Sequence, residues 1–311
     1  MPKAVIFDIK RFAIYDGPGI RTTIFFKGCS LDCAWCQNPE SKLIRSQLFY
    51  NRRKCISCNR CVDACPIGKV SAETRERFDS SKTCPAGCEK CYEECPSGAV
   101  YRVGREYGVD ELFDLIIKDI DFFRTSGGGV TLSGGEPLVH IDFLKALIDR
   151  LGKSNIGVII ETAGNVKWEI FAKILNYPVN YYYDVKLSDG QEHKKYTGHS
   201  NKQLLDNLVA LHKSGRHIII RIPLIPGITD TEKNLMGIIQ FMGKNDLTGI
   251  PVELLPYNQL AETKFDKQGI NCGSLGPYFK PGMKTQEKEF LYKRKKLFTD
   301  NDIPAKILSI E

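Results

Sequence analysis

Residues 129–151 read GVTLSGGEPLVHIDFLKALIDRL and contain the unit from which the fold can be predicted. The opening GVTLSGGE predicts a strand that ends in a glycine-rich turn. Leu144, Leu147, Ile148 and Leu151 then recur at the three- and four-residue spacing of an amphipathic helix. A strand followed directly by such a helix is the repeating unit of a parallel sheet.

The same alternation continues toward the end of the chain. Strands are predicted at IGVIIET, VNYYYDVKL, HIIIRIP and PVELLPY, and helices at WEIFAKIL, around residues 204–212 and around residues 235–242. With TTIFFKG at residues 22–28 the total is about six parallel strands, fewer than the eight of a closed barrel. We therefore predict an α/β fold with an open or partial (β/α)6 barrel.

Between residues 51 and 96 the alternation stops, and the segment is instead dense in Cys, Pro, Gly and charged residues. A segment of about 45 residues rarely buries enough apolar surface to fold unaided, so its stability must have another source. We predict that residues 51–96 form an inserted domain and that residues 1–50 and 97–311 together form the barrel.

Cysteine is concentrated in one part of the chain: 11 of the 12 cysteines lie between Cys29 and Cys95, and the other is Cys272. The sequence has no signal-like N-terminus and no apolar run of the ~18 residues that a membrane span needs. We therefore expect a cytoplasmic protein without a membrane partner, in which clustered thiols bind metal rather than form disulfides. Cys272 has no cysteine neighbour and is expected to be a free thiol.

The net charge of +7, from 44 Lys and Arg against 37 Asp and Glu, is a mild excess for 311 residues. The densest basic run, KRKKL at residues 293–297, is typical of the solvated face of a helix. Because no basic stripe with interleaved aromatic residues is present, we expect no nucleic-acid partner. The five histidines lack metal-ligand spacing.

Cys29, Cys33 and Cys36 stand in KGCSLDCAWCQNPES, residues 27–41, without an immediate fourth partner. Three thiolates on a four-iron cluster leave one iron open to another ligand. This spacing, with Trp35 before the last cysteine, resembles the radical S-adenosylmethionine (SAM) enzymes. The longer stretch DGPGIRTTIFFKGCSLDCAWCQNPES, residues 16–41, is similar throughout to the signature of the glycyl-radical-enzyme activating enzymes.

That resemblance implies an oxidoreductase with a partial barrel of the radical SAM type. It would reductively cleave SAM to a 5'-deoxyadenosyl radical, which abstracts a hydrogen from a glycine of a partner glycyl radical enzyme. The insertion is typical of activators of dehydratases, C–N or C–S lyases and decarboxylases, and not of pyruvate formate-lyase activators. A low-potential electron donor such as flavodoxin or ferredoxin, and anaerobic chemistry, are also implied.

The inserted segment contains Cys55-x2-Cys58-x2-Cys61-x3-Cys65-Pro66 and then Cys84-x3-Cys88-x2-Cys91-x3-Cys95-Pro96. Both runs resemble those of bacterial ferredoxins with two four-iron clusters, in which the fourth cysteine of each run ligates the other cluster. The resemblance implies one cluster on Cys55, Cys58, Cys61 and Cys95 and another on Cys84, Cys88, Cys91 and Cys65. Structural zinc sites are the less favoured alternative, because paired C-x-x-C knuckles are a looser pattern.

Charged and glycine residues near the predicted strand ends are the candidate cofactor contacts. Asp184 and Lys186 are predicted to share a face of one strand, and Arg221 interrupts another; buried charges there are either paired or functional. By resemblance, the cofactor is contacted by Gly134, Gly135 and Glu136 of LSGGEPL, by Glu161, Asp184, Lys186 and Arg221, and by the residue after LPY. The family usually has a histidine at that last position, whereas this chain has Asn258, which weakens the expected contact.

Two other functions remain as alternatives at this level. One is a radical SAM enzyme that modifies a peptide or RNA and carries auxiliary clusters. The other is a ferredoxin-like electron carrier whose barrel merely binds a nucleotide, and this carrier would consume no SAM. For the two auxiliary clusters we expect either electron relay to the site cluster or support of the fold and of partner docking.

Overall fold

The computed structural model describes residues 2–68, 88–258, 264 and 282–308, and an open nine-stranded sheet is its main feature. A separate two-stranded sheet consists of β3 and β4. The strands are β1 (Lys3–Ala13), β2 (Arg21–Phe26), β3 (Gln47–Tyr50), β4 (Val100–Val103), β5 (Arg105–Gly108), β6 (Gly129–Gly134), β7 (Gly157–Thr162), β8 (Val179–Asp184), β9 (Ile218–Leu224), β10 (Val252–Pro256) and β11 (Ala305–Ile307).

Helices lie between the strands, and most of them cover the outer face of the large sheet, whereas the first two belong to the cysteine-rich segment. They are α1 (Arg60–Asp63), α2 (Lys90–Glu93), α3 (Val109–Ile116), α4 (Ile120–Ser126), α5 (Ile141–Lys153), α6 (Trp168–Ala172), α7 (Gly190–Thr197), α8 (Lys202–Lys213), α9 (Glu232–Lys244) and α10 (Lys288–Thr299), with short 3-10 turns at Pro39–Ser41, Arg52–Lys54, Ile117–Asp119 and Pro137–His140. Within the described residues, no helix combines the length and the apolar character that crossing a membrane requires.

The order of strands in the large sheet is β11-β10-β9-β8-β7-β6-β2-β1-β5. Strands β2, β6, β7, β8, β9 and β10 are the six predicted from the sequence, and each is parallel to its neighbour. The structure adds β11 as a further parallel strand and β1 and β5 as antiparallel strands at the opposite edge. The sheet is therefore mixed.

The sheet is strongly curved. The guanidinium of Arg221 on β9 donates to the carbonyl of Tyr15, which precedes β2, at 3.4 Å. Four strand spacings separate β9 from β2, and in a flat sheet these would amount to about 19 Å. Curling of the sheet brings the two elements together, and the inner face becomes the interior of a partial barrel.

Side-chain alternation along β8 separates the two faces of the barrel. Tyr183 points outward, where its hydroxyl donates to the carbonyl of Leu204 at 2.6 Å beneath the helices. Tyr182 and Asp184 therefore face inward. Asp184 is in register with Arg221 on β9, which in turn is in register with Glu253 on β10. The interior is thus polar, although the strands that form it are largely apolar.

Two local predictions differ from the structure, and one helix between the barrel strands was missed. Strand β8 ends at Asp184, so Lys186 lies beyond the strand instead of on it. The helix predicted at WEIFAKIL ends at Ala172 and continues as turns. Helix α7 was not predicted; its mostly polar sequence GQEHKKYT buries only His193 and Thr197, which leaves little apolar periodicity to detect.

The cysteine-rich segment is described at residues 51–68 and 88–96 and consists of two similar turns. Each has a one-turn helix with a buried cysteine as its second residue, Cys61 in α1 and Cys91 in α2. Each then closes through a glycine of positive φ, Gly68 at 60° and Gly98 at 62°. Strands β3 and β4 flank the segment on both sides, and the predicted boundaries at residues 51 and 96 stay a prediction.

Candidate cluster and cofactor site

The loop that carries Cys29, Cys33 and Cys36 follows β2 and is fastened to the last turn of α7. The amide of Asp32 donates to the carbonyl of Thr197 at 2.8 Å, and the amide of Ala34 donates to that of Tyr196 at 2.9 Å. These carbonyls lie at the C-terminus of a helix, where no intrahelical donor reaches them. Helix α7 therefore positions the three cysteines relative to the barrel.

A cluster of apolar side chains lies beneath this loop. Cys33 and Trp35 are buried, at 9% and 5% exposure. The other members of this apolar cluster come from the loop, Leu31 and Ala34, and from positions that follow three barrel strands, Leu187, Ile225 and Tyr257. The cysteines thus lie across the C-terminal ends of the barrel strands, the end at which barrel chemistry occurs.

Burial raises the pKa of the Cys33 thiol to about 12, while the nearby Lys186 ammonium opposes that rise. A thiol in this state is protonated at neutral pH, so a metal must displace its proton on binding. Three thiols that pack among apolar side chains are suited to ligate an iron–sulfur cluster as thiolates.

Asp184 and Lys186 form an ion pair of 2.7 Å beside the cysteine loop. Burial disfavours the charge on Lys186, but the attraction of Asp184 and Cys33 leaves its pKa above the usual value. Lys186 is only 8% exposed, whereas Asp184 is 35% exposed. The pair therefore places a buried cation next to the cysteines and keeps one carboxylate partly open.

The two glycines of LSGGEPL allow the backbone at the end of β6 to come close to another part of the protein chain. Gly134 has a φ of +114°, and a Cβ there would lie 2.3 Å from the amide nitrogen of Phe26. A Cβ on Gly135 would lie 2.3 Å from the carbonyl oxygen of Gly28. The two glycines let the end of β6 press against the end of β2, directly before Cys29.

We expect Gly134→Ala to lower the free energy of unfolding by about 3 kcal/mol or more, because it combines backbone strain with an atomic overlap. The measurement is urea unfolding followed by circular dichroism. Gly152→Ala is the matched control: Gly152 lies in α5 with no atom within 4 Å of an added Cβ. That change should raise stability by about 0.5–1 kcal/mol. Equal effects of the two substitutions would contradict the proposed packing role of Gly134.

Glu136, which follows these glycines, is 1% exposed. Its carboxylate accepts from the hydroxyl of Thr162 at 2.8 Å and from the amides of Leu138 and Ala163. Burial raises its pKa to about 7, although these donors favour the ionised form. Glu136 thus ties the end of β6 to the end of β7, beside the cysteine loop.

Arg221 lies deeper in the barrel between two carboxylates. Its Nε donates to Glu253 at 2.8 Å, and its Nη1 donates to Glu161. Glu253 is 3% exposed and also accepts from Lys306 at 2.9 Å. The guanidinium lies 3.8 Å from the ring centroid of Tyr182. Burial raises the pKa of Glu161, and Arg221 and Ser133 oppose the rise.

Glu253 is an interior residue that sequence reasoning missed. The signal that singled out Arg221, a charge within an apolar strand, is present in PVELLPY as well. Asn258 is exposed and lies two residues beyond the end of β10. The structure thus gathers the three cysteines, Trp35, Asp184 and Lys186 around one loop. Glu161 and Arg221 form an ion pair next to this group, since Arg221 is in register with Asp184 on the neighbouring strand.

A second site lies in the cysteine-rich segment. One cavity there is lined by Cys55, Cys58, Cys61 and Cys95 together with Tyr50, Ile56, Asn59, Ser97, Ala99 and Val100. The four cysteines are those that the ferredoxin resemblance assigns to a single cluster. Three belong to the first run, and Cys95 comes from the end of the second.

Two backbone amides around this cavity donate hydrogen bonds to cysteine sulfur atoms. Ser57 donates to Sγ of Cys55 at 3.4 Å, and Val100 donates to Sγ of Cys95 at 3.3 Å. Burial would raise the pKa of Cys95, but donors at Val100 and Ser97 outweigh it, so that this pKa is lowered. Amides that stabilise a thiolate fit a sulfur-ligated cluster, whose potential such hydrogen bonds tune.

The second set of cysteines is only partly described. Cys91 is buried in the small core of the segment, and Cys65 packs against that core. Cys88 is half-buried. Cys84 and Cys272 lie outside the described residues.

Comparison with known proteins identifies the family of this chain. The profile of the Radical SAM superfamily matches residues 79–238, and that of the 4Fe-4S binding domain matches residues 48–68. A choline trimethylamine-lyase activating enzyme from Oleidesulfovibrio alaskensis is 40% identical over 86% of this chain and 87% of its own. A trans-4-hydroxy-L-proline dehydratase activating enzyme from Clostridioides difficile is 39% identical over 85% and 87%.

Among solved structures, a radical SAM methyltransferase from Sphaerobacter thermophilus has a TM-score of 0.52 at 12% identity. The match covers 92% of this chain and 66% of the methyltransferase chain. At this identity it shows a likeness of fold alone. The chain belongs to the radical SAM superfamily and, within it, to the activating enzymes of glycyl radical enzymes. It is therefore an enzyme that generates radicals with SAM and a four-iron cluster, and the 4Fe-4S match indicates an additional cluster.

Proposed function

We propose that Cys29, Cys33 and Cys36 hold a site-differentiated four-iron cluster whose open iron binds SAM. The buried cysteine loop, seated on the strand ends beside Asp184 and Lys186, is the observation that carries this proposal. When bound, the two groups supply a one-electron reductive cleavage and a carbon radical able to abstract a hydrogen from glycine. The proposed cofactor contacts are Trp35, Gly134, Gly135, Glu136, Glu161, Asp184, Lys186, Arg221 and, most weakly, Asn258.

The side chains around the site have separable tasks in this proposal. The apolar cluster under the loop excludes water, and the lower dielectric strengthens the charge interactions at the site. Lys186, buried and held by Asp184, supplies a fixed positive charge beside the thiolates. Arg221 is the group suited to a carboxylate, because its planar fork binds one bidentately. The contacts of Arg221 with Glu161 and Glu253 would hold that fork in orientation.

For the inserted segment we propose a ferredoxin-like domain, residues 51–96, with two auxiliary four-iron clusters. Support comes from the cavity lined by Cys55, Cys58, Cys61 and Cys95 and from the similar geometry of the two turns. The second cluster would take Cys84, Cys88, Cys91 and Cys65. Three clusters require about twelve irons per chain. Iron and sulfide analysis with Mössbauer spectroscopy of the reconstituted protein tests this number, and about eight irons would leave only one auxiliary cluster.

We further propose that the auxiliary clusters serve electron delivery. The variant in which Cys58 and Cys88 are both replaced by Ala should lose radical formation driven by reduced flavodoxin, yet keep that driven by dithionite. The measurement is glycyl radical yield by electron paramagnetic resonance. Circular dichroism and retention of the site cluster must first show that the variant folds. Unchanged yield with flavodoxin would instead favour a structural or docking role.

The protein partner proposed for this chain is a glycyl radical enzyme of the dehydratase, C–N or C–S lyase or decarboxylase type. The inserted segment and the relatives named for a lyase and a dehydratase support this choice. Anaerobic incubation with purified candidates of each type tests it. The expected result is a glycyl radical doublet on one candidate only; a radical on pyruvate formate-lyase instead would contradict the proposal.

A further inference from the structure

The cavity that joins Cys55, Cys58, Cys61 and Cys95 has one buried and one exposed wall. Tyr50, Cys61, Ala99 and Val100 are buried and separate the cavity from the rest of the protein. Ile56, Cys58 and Asn59 line the opposite side and are exposed, Ile56 at 65%. A single layer of the loop between Cys55 and Arg60 thus lies between these sulfur atoms and solvent.

The exposed wall is bordered by positive charge. We define the basic face as Arg52, Arg53, Lys54, Ile56 and Arg60, all of which are exposed. No Asp or Glu occurs in residues 51–62, and Asp63, at the end of the helix that begins with Arg60, is the first acid that follows. The face therefore combines four cations with an exposed isoleucine at the edge of a cysteine-lined cavity.

The repeat within the segment differs in charge between its two halves. Arg60 and Lys90 are the first residues of the equivalent helices α1 and α2. Asp63 and Glu93 also occupy matching positions, but Glu89 and Glu94 of the second half stand where the first half has Asn59 and Ala64. The same local geometry is thus formed in a more acidic setting in the second half than in the first.

We propose that the basic face docks an acidic, low-potential electron-transfer protein and is the entry point for electrons. This inference rests on the proposed function, since it requires a cluster on Cys55, Cys58, Cys61 and Cys95. In each encounter the carrier is oxidised by one electron and the cluster is reduced by one, and no atom is exchanged. Electron tunnelling falls steeply with distance, which favours entry where one layer of chain covers the sulfur atoms.

The size and character of the face suit such a carrier better than the glycyl radical enzyme. Electron-transfer encounters are small and transient, below about 1,200 Å² of buried area. Their association is accelerated by complementary charge, while a small apolar contact at the centre, here Ile56, completes the complex. An acidic carrier would also be repelled by Glu94 of the second half, where the first half has Ala64, and this directs it to the first half.

Charge reversal at matched positions tests the inference. Arg60→Glu and Lys90→Glu change the same helix position in the two halves, and the Arg53→Glu/Lys54→Glu double variant removes more of the face. An acid in the first turn of a helix is favourable, so the two helix variants should fold. The probe is an acidic flavodoxin: its affinity for each reconstituted holoenzyme and the rate at which its reduced form is oxidised are measured at low and high salt.

We expect Arg60→Glu and the double variant to lower the association rate of flavodoxin about tenfold or more at low salt. The difference should shrink at high salt, because the interaction is screened. Lys90→Glu should not slow association. Equal rates in all variants, or an equal loss in Lys90→Glu, would overturn the inference. Weakened binding of the glycyl radical enzyme with unchanged flavodoxin kinetics would assign the face to that enzyme instead.

Dithionite-driven formation of 5'-deoxyadenosine separates this inference from the proposed function. It should be the same in wild type and in every charge variant, because dithionite needs no docking protein. Its absence in the wild type would count against the proposed function, whereas its presence together with uniform flavodoxin kinetics would count against the basic face alone.

Discussion

Protein in which Cys29, Cys33 and Cys36 are all replaced by Ala will form no 5'-deoxyadenosine above the protein-free background. The expected loss is complete because, in the proposed site, these three thiolates are the whole protein contribution to the cluster with an open iron. The measurement is anaerobic: the protein is reconstituted with iron and sulfide, dithionite and SAM are added, and 5'-deoxyadenosine is quantified. Iron content should fall by about four per chain.

Cys272→Ala is the matched control for this experiment. It also removes a thiol, but one that stands apart from both cysteine groups in the sequence. We expect full activity and unchanged iron in this variant. Formation of 5'-deoxyadenosine by the triple variant would contradict the assignment of the site cluster. If fully loaded wild-type protein formed none, the proposed chemistry at this site would be wrong.

Arg221→Met should produce the largest loss of stability among the interior residues. Arg221 is 7% exposed and is the shared partner of Glu161 and Glu253. Removing one member of a buried ionic group leaves uncompensated charge, which costs about 3–5 kcal/mol. Denaturant unfolding measures the effect, and the midpoint should fall in proportion. We expect weaker binding of SAM as well, measured on the reconstituted protein by equilibrium dialysis.

Lys306→Met is the control, because Lys306 contacts the same Glu253 from the outside. Lys306 is 54% exposed, and Glu253 would keep its bond to Arg221. An exposed ion pair contributes about 0–1 kcal/mol, so this variant should differ little from wild type. Similar losses in the two variants would mean that Arg221 is not the centre of the network. Tight SAM binding by Arg221→Met would remove Arg221 from the proposed cofactor contacts.

Local periodicity was sufficient to predict the six central strands and most of the helices between them. The apolar spacing of Leu144, Leu147, Ile148 and Leu151 predicts α5 without any knowledge of the rest of the chain. The peripheral strands could not be predicted in this way. Strand β11 has three residues, too few for a period, and β5 is a polar strand paired only with β1. Such strands form because a partner strand is present, and the partner is distant in sequence.

The sequence by itself determined the chemistry of this protein: which cysteines are available, their spacing, and the signature around Cys29, Cys33 and Cys36. These features are local, since ligands of one loop are separated by only a few bonds. Only the tertiary structure decided that Gly134 makes room for β2 and that Glu253 joins Arg221 in the interior. Both depend on contacts between residues that are far apart in the chain, and the pairing of the strands and the curling of the sheet create those contacts.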